Sequence, residues 1–136
     1  MGERRRAREL AVQVLFHLEF NPDDPSETFQ LICETFSPKK SIPPFARNLV
    51  MGVFNNKASL DQIIRKASKN WRMERMTHVD KNILRLAVFE LQFLEDIPPK
   101  VSLDEAVELG KKFGSEHSAR YINGVLDNIY STLDIE

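Results

Sequence analysis

Almost nowhere along this chain do apolar and polar residues alternate with a period of two; from end to end they recur at i, i+3 and i+4. A half-buried strand needs alternation, because its successive side chains point to opposite faces, whereas the 3–4 spacing lays an apolar stripe along a helix. The pattern therefore predicts an all-α protein of about seven helices. The first runs from about Glu3 to Phe20 and stops at Asn21-Pro22. The second runs from Ser26 to about Phe36, after a solvated Asp23-Asp24 turn. The third opens at Pro44 and carries Phe45, Leu49, Val50, Val53 and Phe54; the fourth is capped by Ser59 and carries Leu60, Ile63, Ile64 and Ala67. A short turn or linker at Asn70–Met76 leads to the fifth, from about Thr77 to Leu94, whose apolar residues surround most of the axis and mark it as the central, buried helix. Pro98-Pro99 breaks the chain, Ser102 and Glu105 form an S-x-x-E capping box for the sixth, and Gly114 ends it. The seventh, from about Ser118 to Leu133, has a core stripe of Ala119, Ile122, Val125, Leu126, Ile129 and Leu133.

A chain of 136 residues with 42% hydrophobic residues can bury a real core without covalent staples. Cys33 is the sole cysteine, so an intrachain disulfide and a Cys-rich zinc site are excluded; it reads as a small core residue, and a reducing cytoplasm fits. No apolar run approaches the roughly 18 residues of a membrane span. Glu9, Gln13, His17 and Glu19 interrupt the N-terminal segment, which is therefore not a signal peptide. Phosphate loops, G-x-G-x-x-G and H-E-x-x-H are absent, and His17, His78 and His117 lie far apart with no metal-ligand spacing. Glu90 falls on the apolar side of the central helix, where a carboxylate needs donors; a structural network accounts for it better than a catalytic acid. The sequence predicts no enzyme, no cofactor and no metal.

The functional clue is local charge. Arg4, Arg5, Arg6 and Arg8 crowd one helix tip in a chain whose formal net charge is -1. A helix N-terminus already carries partial positive charge, so arginines there repel it, and an anionic partner reverses the sign of that interaction. Guanidinium suits phosphate because its planar donors bond two oxygens at once. On a helical wheel Ala7, Leu10, Ala11, Val14, Leu15 and Leu18 share the core sector. Arg5, Arg6, Glu9, Gln13, Phe16 and Phe20 lie opposite, with Arg4 and Arg8 at a boundary. Phe16 is either an aromatic beside the arginines or a residue wedged between layers. On the last helix Arg120, Tyr121 and Gly124 share a sector beside the core stripe; a mid-helix glycine costs about 1 kcal/mol relative to alanine. Either close helix packing or the approach of a partner explains Gly124. With the tyrosine and arginine beside it, the sector could be a stacking platform for an unpaired base.

These same residues fall in ordered blocks that resemble the NusB family of bacterial transcription antitermination factors: RRRARELAVQVLF at 4–16, LDQIIRKASKNW at 60–71, VDKNILRLAVFEL at 79–91, IPPKVSLDEAVELGKKFG at 97–114 and YINGVLD at 121–127. The resemblance implies a single domain over 1–136, with two helical bundles that share a core, helices one to three (about 1–57) packed on helices four to seven (about 58–136). It implies a non-catalytic factor that binds boxA RNA together with NusE, a small-subunit ribosomal protein, and joins RNA polymerase with other Nus factors to support processive transcription of ribosomal RNA operons. By position, Arg4, Arg5, Arg6 and Arg8 correspond to the basic RNA-contacting motif, Arg120 and Tyr121 to the RNA-contacting part of the last helix, and Asp80 to a position implicated in the NusE contact. Phe16 stands where a tyrosine is common, which removes a hydroxyl and leaves stacking, and His117 stands where an acidic residue can occur. A related domain is fused to some ribosomal RNA cytosine methyltransferases; this chain carries no such domain, and the freestanding factor is the better match. The other readings are a helical protein–protein adaptor whose arginines grip an acidic surface, and an accessory RNA-binding protein of ribosomal RNA maturation. Such proteins can be monomers or homodimers.

Overall fold

The computed structural model describes residues 2–21, 24–36, 40, 42–68 and 73–132, and among them the regular structure is entirely helical. Six α-helices are present among the described residues: α1 Gly2–Phe20, α2 Pro25–Phe36, α3 Ile42–Ala67, α4 His78–Phe93, α5 Pro99–Phe113 and α6 Ser118–Thr132, with one 3₁₀ turn at Met73–Arg75 between α3 and α4. Asp23, Asn70–Arg72 and Leu133, which figure in the sequence reading, lie outside the described residues. The chain divides into two compact units, Met1–Asn55 and Asn56–Glu136.

In the first unit α1 packs on α2. The expected core sector of α1 (Ala7, Leu10, Ala11, Val14, Leu15 and Leu18) is buried, and Val12 is buried with it. Asp24 starts α2: its carboxylate accepts from the Ser26 amide at 3.1 Å, its carbonyl accepts from Thr28, and Pro25 takes the first helical position, where the missing N–H costs nothing. Asp24 is thus a cap and not merely a solvated turn. Phe29 from α2 and Ile42, Ala46, Leu49, Val50 and Val53 from α3 complete the unit's buried apolar set.

The expected third and fourth helices are both present, meeting at a kink at Asn56 (φ −117°, ψ 16°) inside the span Ile42–Ala67. Ser59 does not cap a new helix. Its hydroxyl donates to the Asn56 carbonyl at 3.0 Å, and a side chain bonding into the ladder this way is a recognised source of helix bending.

In the second unit α5 packs on α4 and α6, and α4 also meets α6. α4 is the central helix, buried without interruption from Asn82 to Glu90. The Thr77 hydroxyl caps it by accepting from the Asp80 amide at 3.0 Å. The α5–α6 contact is close: a Cβ on Gly110 would sit 2.9 Å from Ile122 Cδ1 and 3.4 Å from the Ala119 backbone. Gly114 does end α5, in extended backbone, and a Cβ there would collide with the Ser118 side chain and the Gly110 carbonyl.

The capping box at Ser102 is overturned. α5 starts four residues earlier, with Pro98 extended and Pro99 preset for the first turn, and no side chain among the described residues caps it. Ser102 is buried and donates to Glu90 Oε1 at 2.7 Å. Glu90, 2% exposed, therefore has a structural donor within its own unit. A second buried network ties the C-terminal part of α3 to α4. Arg85 donates from Nε to Asp61 Oδ1 at 2.6 Å, from Nη2 to Oδ2 at 3.0 Å and from Nη1 to Asn82 Oδ1 at 3.1 Å, while Asn82 Nδ2 reaches the His78 carbonyl at 2.8 Å. Asn128 on α6 donates to the Ala67 carbonyl at 2.9 Å.

Candidate nucleic-acid interface

Because helical rise sets each arginine on its own bearing, the four do not share one environment. Arg4 and Arg6 are exposed and Arg5 is half-buried, whereas Arg8 is only 3% exposed. Three of them lie over aromatic rings from other helices of the same unit. Arg4 and Arg8, one turn apart, both lie over Phe45 of α3, their guanidinium carbons 4.6 and 5.6 Å from the ring centre. Arg6 lies over Phe36 of α2 at 4.4 Å and donates to Glu9 Oε1 at 3.0 Å. A ring face is negative at its centre, so each seat offsets part of the repulsion between these cations and the helix N-terminus. Arg47 on α3 lies over Phe29 of α2 at 5.7 Å and donates to the Ser26 hydroxyl.

Farther along α1 the choice left open for Phe16 resolves toward solvent. It is 39% exposed and meets Phe20, 57% exposed, edge to face with centroids 5.1 Å apart. The first unit thus carries, on one helix, cations at the tip and apolar rings at the far end.

In the second unit α6 carries Arg120 and Gly124 on its exposed side, with Tyr121 half-buried between them and the core. A Cβ built on Gly124 meets no atom of the described residues within 4 Å, so close packing among them does not explain that glycine. The Tyr121 hydroxyl points inward and is buried, with Ser68 and Asp80 as its electrostatic neighbours. Burial pushes its pKa above the ordinary phenol value, the Asp80 charge pushes the same way, and the nearby Ser68 side chain opposes them. Asp80 itself, in the first turn of α4, is 7% exposed, and its Oδ1 is buried without a hydrogen-bond partner among the described residues. The structure thus brings Asp80 and Tyr121 together. His117 is highly exposed just before α6, with Nε2 3.4 Å from Glu116 Oε1.

Two of the residues expected to contact partners, Arg8 and Asp80, are therefore buried. Conversely, Phe36 and Phe45 carry no sequence signal of involvement, because only the packing of α2 and α3 brings their rings to the arginines. Among the described residues no group of three His, Cys, Asp or Glu side chains could hold a metal ion. Burial, with Glu34 adding to it, pushes the Cys33 thiol up, away from the thiolate a nucleophile needs. No helix among the described residues is long and apolar enough to cross a membrane.

Comparison with known proteins places these features in a family context. The profile of the NusB family matches residues 5–131. The chain is 43% identical over 136 residues to the transcription antitermination protein NusB of Desulfatibacillum aliphaticivorans, covering 100% of this chain and 95% of the relative. It is 49% identical over 126 residues to that of Pelotomaculum thermopropionicum, covering 93% and 88%. A crystal structure of the antitermination factors NusB and NusE in complex with dsRNA superposes with a TM-score of 0.87 at 32% identity, covering 96% of this chain and 98% of that one.

Proposed function

The chain belongs to the NusB family, and from that premise we propose that it is a cytoplasmic, non-catalytic antitermination factor that binds boxA RNA with NusE. In that role it supports processive transcription of ribosomal RNA operons by RNA polymerase with other Nus factors. The observation that carries the RNA assignment is the α1 tip, where Arg4 and Arg6 are exposed yet held over aromatic rings. Exposed cations supply phosphate contacts, and rings that hold them limit the entropy lost on binding.

Within this reading Arg4, Arg5 and Arg6 contact phosphate, while Arg8, buried over Phe45, supports the tip from beneath. Phe16 offers a ring for base stacking from the same helix. On α6 Arg120 adds a phosphate contact, Gly124 lets the RNA backbone approach the helix, and Tyr121 stacks through its ring while its hydroxyl stays anchored inside. Asp80, buried beside that hydroxyl, serves the NusE face by fixing the first turn of α4 rather than by direct contact. The residues form one NusB-like domain with subdomains at about 1–57 and 58–136.

Replacing Arg4, Arg5 and Arg6 together by alanine, with Arg8 kept, is the test. Affinity for boxA RNA falls, the slope of log affinity against log salt shrinks by roughly 0.7 for each phosphate no longer neutralised, and the helical melt is retained. Wild-type affinity in that variant, both with and without NusE, removes the arginine site. Competition by acidic peptides but not by RNA transfers it to a protein-adaptor role.

A further inference from the structure

We propose that Phe45 and Phe36 are positioning residues of the RNA interface, aromatic seats that orient the guanidinium groups of Arg4 and Arg6 for phosphate, with the buried Arg8 sharing the Phe45 seat; the inference rests on the RNA-binding reading above. The two rings come from different helices, α3 and α2, yet both meet arginines of α1. Phe45 serves two of them, because residues 4 and 8 are one helical turn apart and fall on one line of α1. Distances of 4.4 to 5.6 Å to the ring centres lie inside the range of cation–π attraction.

Geometry makes a seat compatible with a clamp. A ring attracts the flat face of a guanidinium, whereas the N–H donors lie in its plane and point past the ring edge. Stacking therefore consumes none of the donors that pair two at a time with a phosphate. An unseated arginine on this surface has two other fates. It can sample many rotamers, with the entropy cost deferred to binding, or collapse onto a nearby carboxylate. Glu9 shows the second hazard at first hand: it already takes one Arg6 donor at 3.0 Å, and it is itself buried. Burial of Arg8 over the same ring as Arg4 gives the Phe45 ring a second, buried contact, so the seat is itself held.

Phe36→Leu, Phe45→Leu and the corresponding Tyr variants test this by titration of fluorescently labelled boxA RNA, with a thermal melt of each variant. Leucine keeps apolar volume and removes the π face; tyrosine keeps both. An exposed cation–π contact corresponds to about two- to five-fold in an equilibrium constant. The expected loss of affinity is thus about three-fold for Phe36→Leu and up to about ten-fold for Phe45→Leu, at an unchanged salt slope, with Tyr restoring wild-type binding. Leucine variants that bind as tightly as wild type, or more tightly, overturn the proposal, since a ring that competes with RNA gives the opposite sign. Tyr variants as weak as Leu also overturn it, because packing volume would then be the cause. Should a leucine variant fail to fold, Arg Nε–Hε NMR shifts of the wild-type chain decide. Ring-current shifts for Arg4 and Arg6 that persist with RNA bound support the seats, and their disappearance on binding overturns them. If the RNA reading itself is wrong, the triple arginine variant reveals that separately, by binding RNA like wild type.

Discussion

Compare Arg85 in the second unit with Arg4 and Arg6 in the first. Arg85 turns inward, meets both oxygens of Asp61, adds Asn82, and is buried with them. Arg4 and Arg6 lie on the faces of Phe45 and Phe36 at an exposed helix tip. The difference lies in which surface of the guanidinium the fold engages. Where buried in-plane donors are matched by a carboxylate, the cation is a brace; where a ring seats the cation at an exposed helix tip, it stays within reach of an arriving anion. The same contrast extends to the acids. Glu90 is sealed with Ser102 as its donor, while Glu9 shares a half-exposed Arg6.

The largest effect that bears on this contrast comes from Asp61→Ala. It leaves the Arg85 charge buried without its carboxylate and costs about 3–5 kcal/mol, read as a lower urea midpoint. Arg4→Ala costs no more than about 1 kcal/mol. Equal losses in the two variants would dissolve the distinction between brace and displayed cation. Ser102→Ala comes next, at about 1–3 kcal/mol, because Glu90 Oε1 loses its buried hydroxyl donor; a neutral result would mean that water replaces the serine. Gly124→Ala runs the other way. With open space around the missing Cβ, alanine stabilises α6 by up to about 1 kcal/mol, and RNA affinity falls if the RNA backbone needs that gap. A variant that gains stability and binds RNA like wild type would take Gly124 out of the interface.

The smallest effect is a pH dependence. Tyr121 has a folded-state pKa above the unfolded phenol value of 10.0, so the folded chain holds its proton more tightly. The stability associated with the neutral phenol is fully present below about pH 10 and is lost as pH rises through the folded pKa. The melting temperatures of wild type and Tyr121→Phe should therefore track each other through neutral pH and diverge only in strong alkali, wild type falling faster. Parallel curves throughout would indicate a solvated hydroxyl.

Helices whose burial wraps the axis were legible in the sequence. α4 needs no partner to be recognised, since apolar residues on all sides already mark it as central, and the core sector of α1 follows from spacing alone. Legibility fails where one local signature serves two physical ends. Ser102-x-x-Glu105 reads as a capping box, yet Pro99 starts the helix a turn earlier and frees the serine to face Glu90. Ser59 likewise reads as a cap and is a donor into a bent helix. The arginine cluster was visible as charge. What was hidden is the burial of Arg8 and the identity of the rings, since Phe45 and Phe36 reach α1 only through tertiary packing. A hydrophobic pattern assigns a phenylalanine to the inside and does not say which cation will lie upon it.

Gly124 carries a consequence for how this chain tolerates change. One base substitution turns any glycine codon into an alanine codon, and the surrounding space would admit the methyl group without a clash. A more rigid α6 is thus a neighbour of this sequence in mutational space, with no steric obstacle between them. Laboratory selection for heat resistance alone should find that step early, and selection that also demands RNA binding should pass it over.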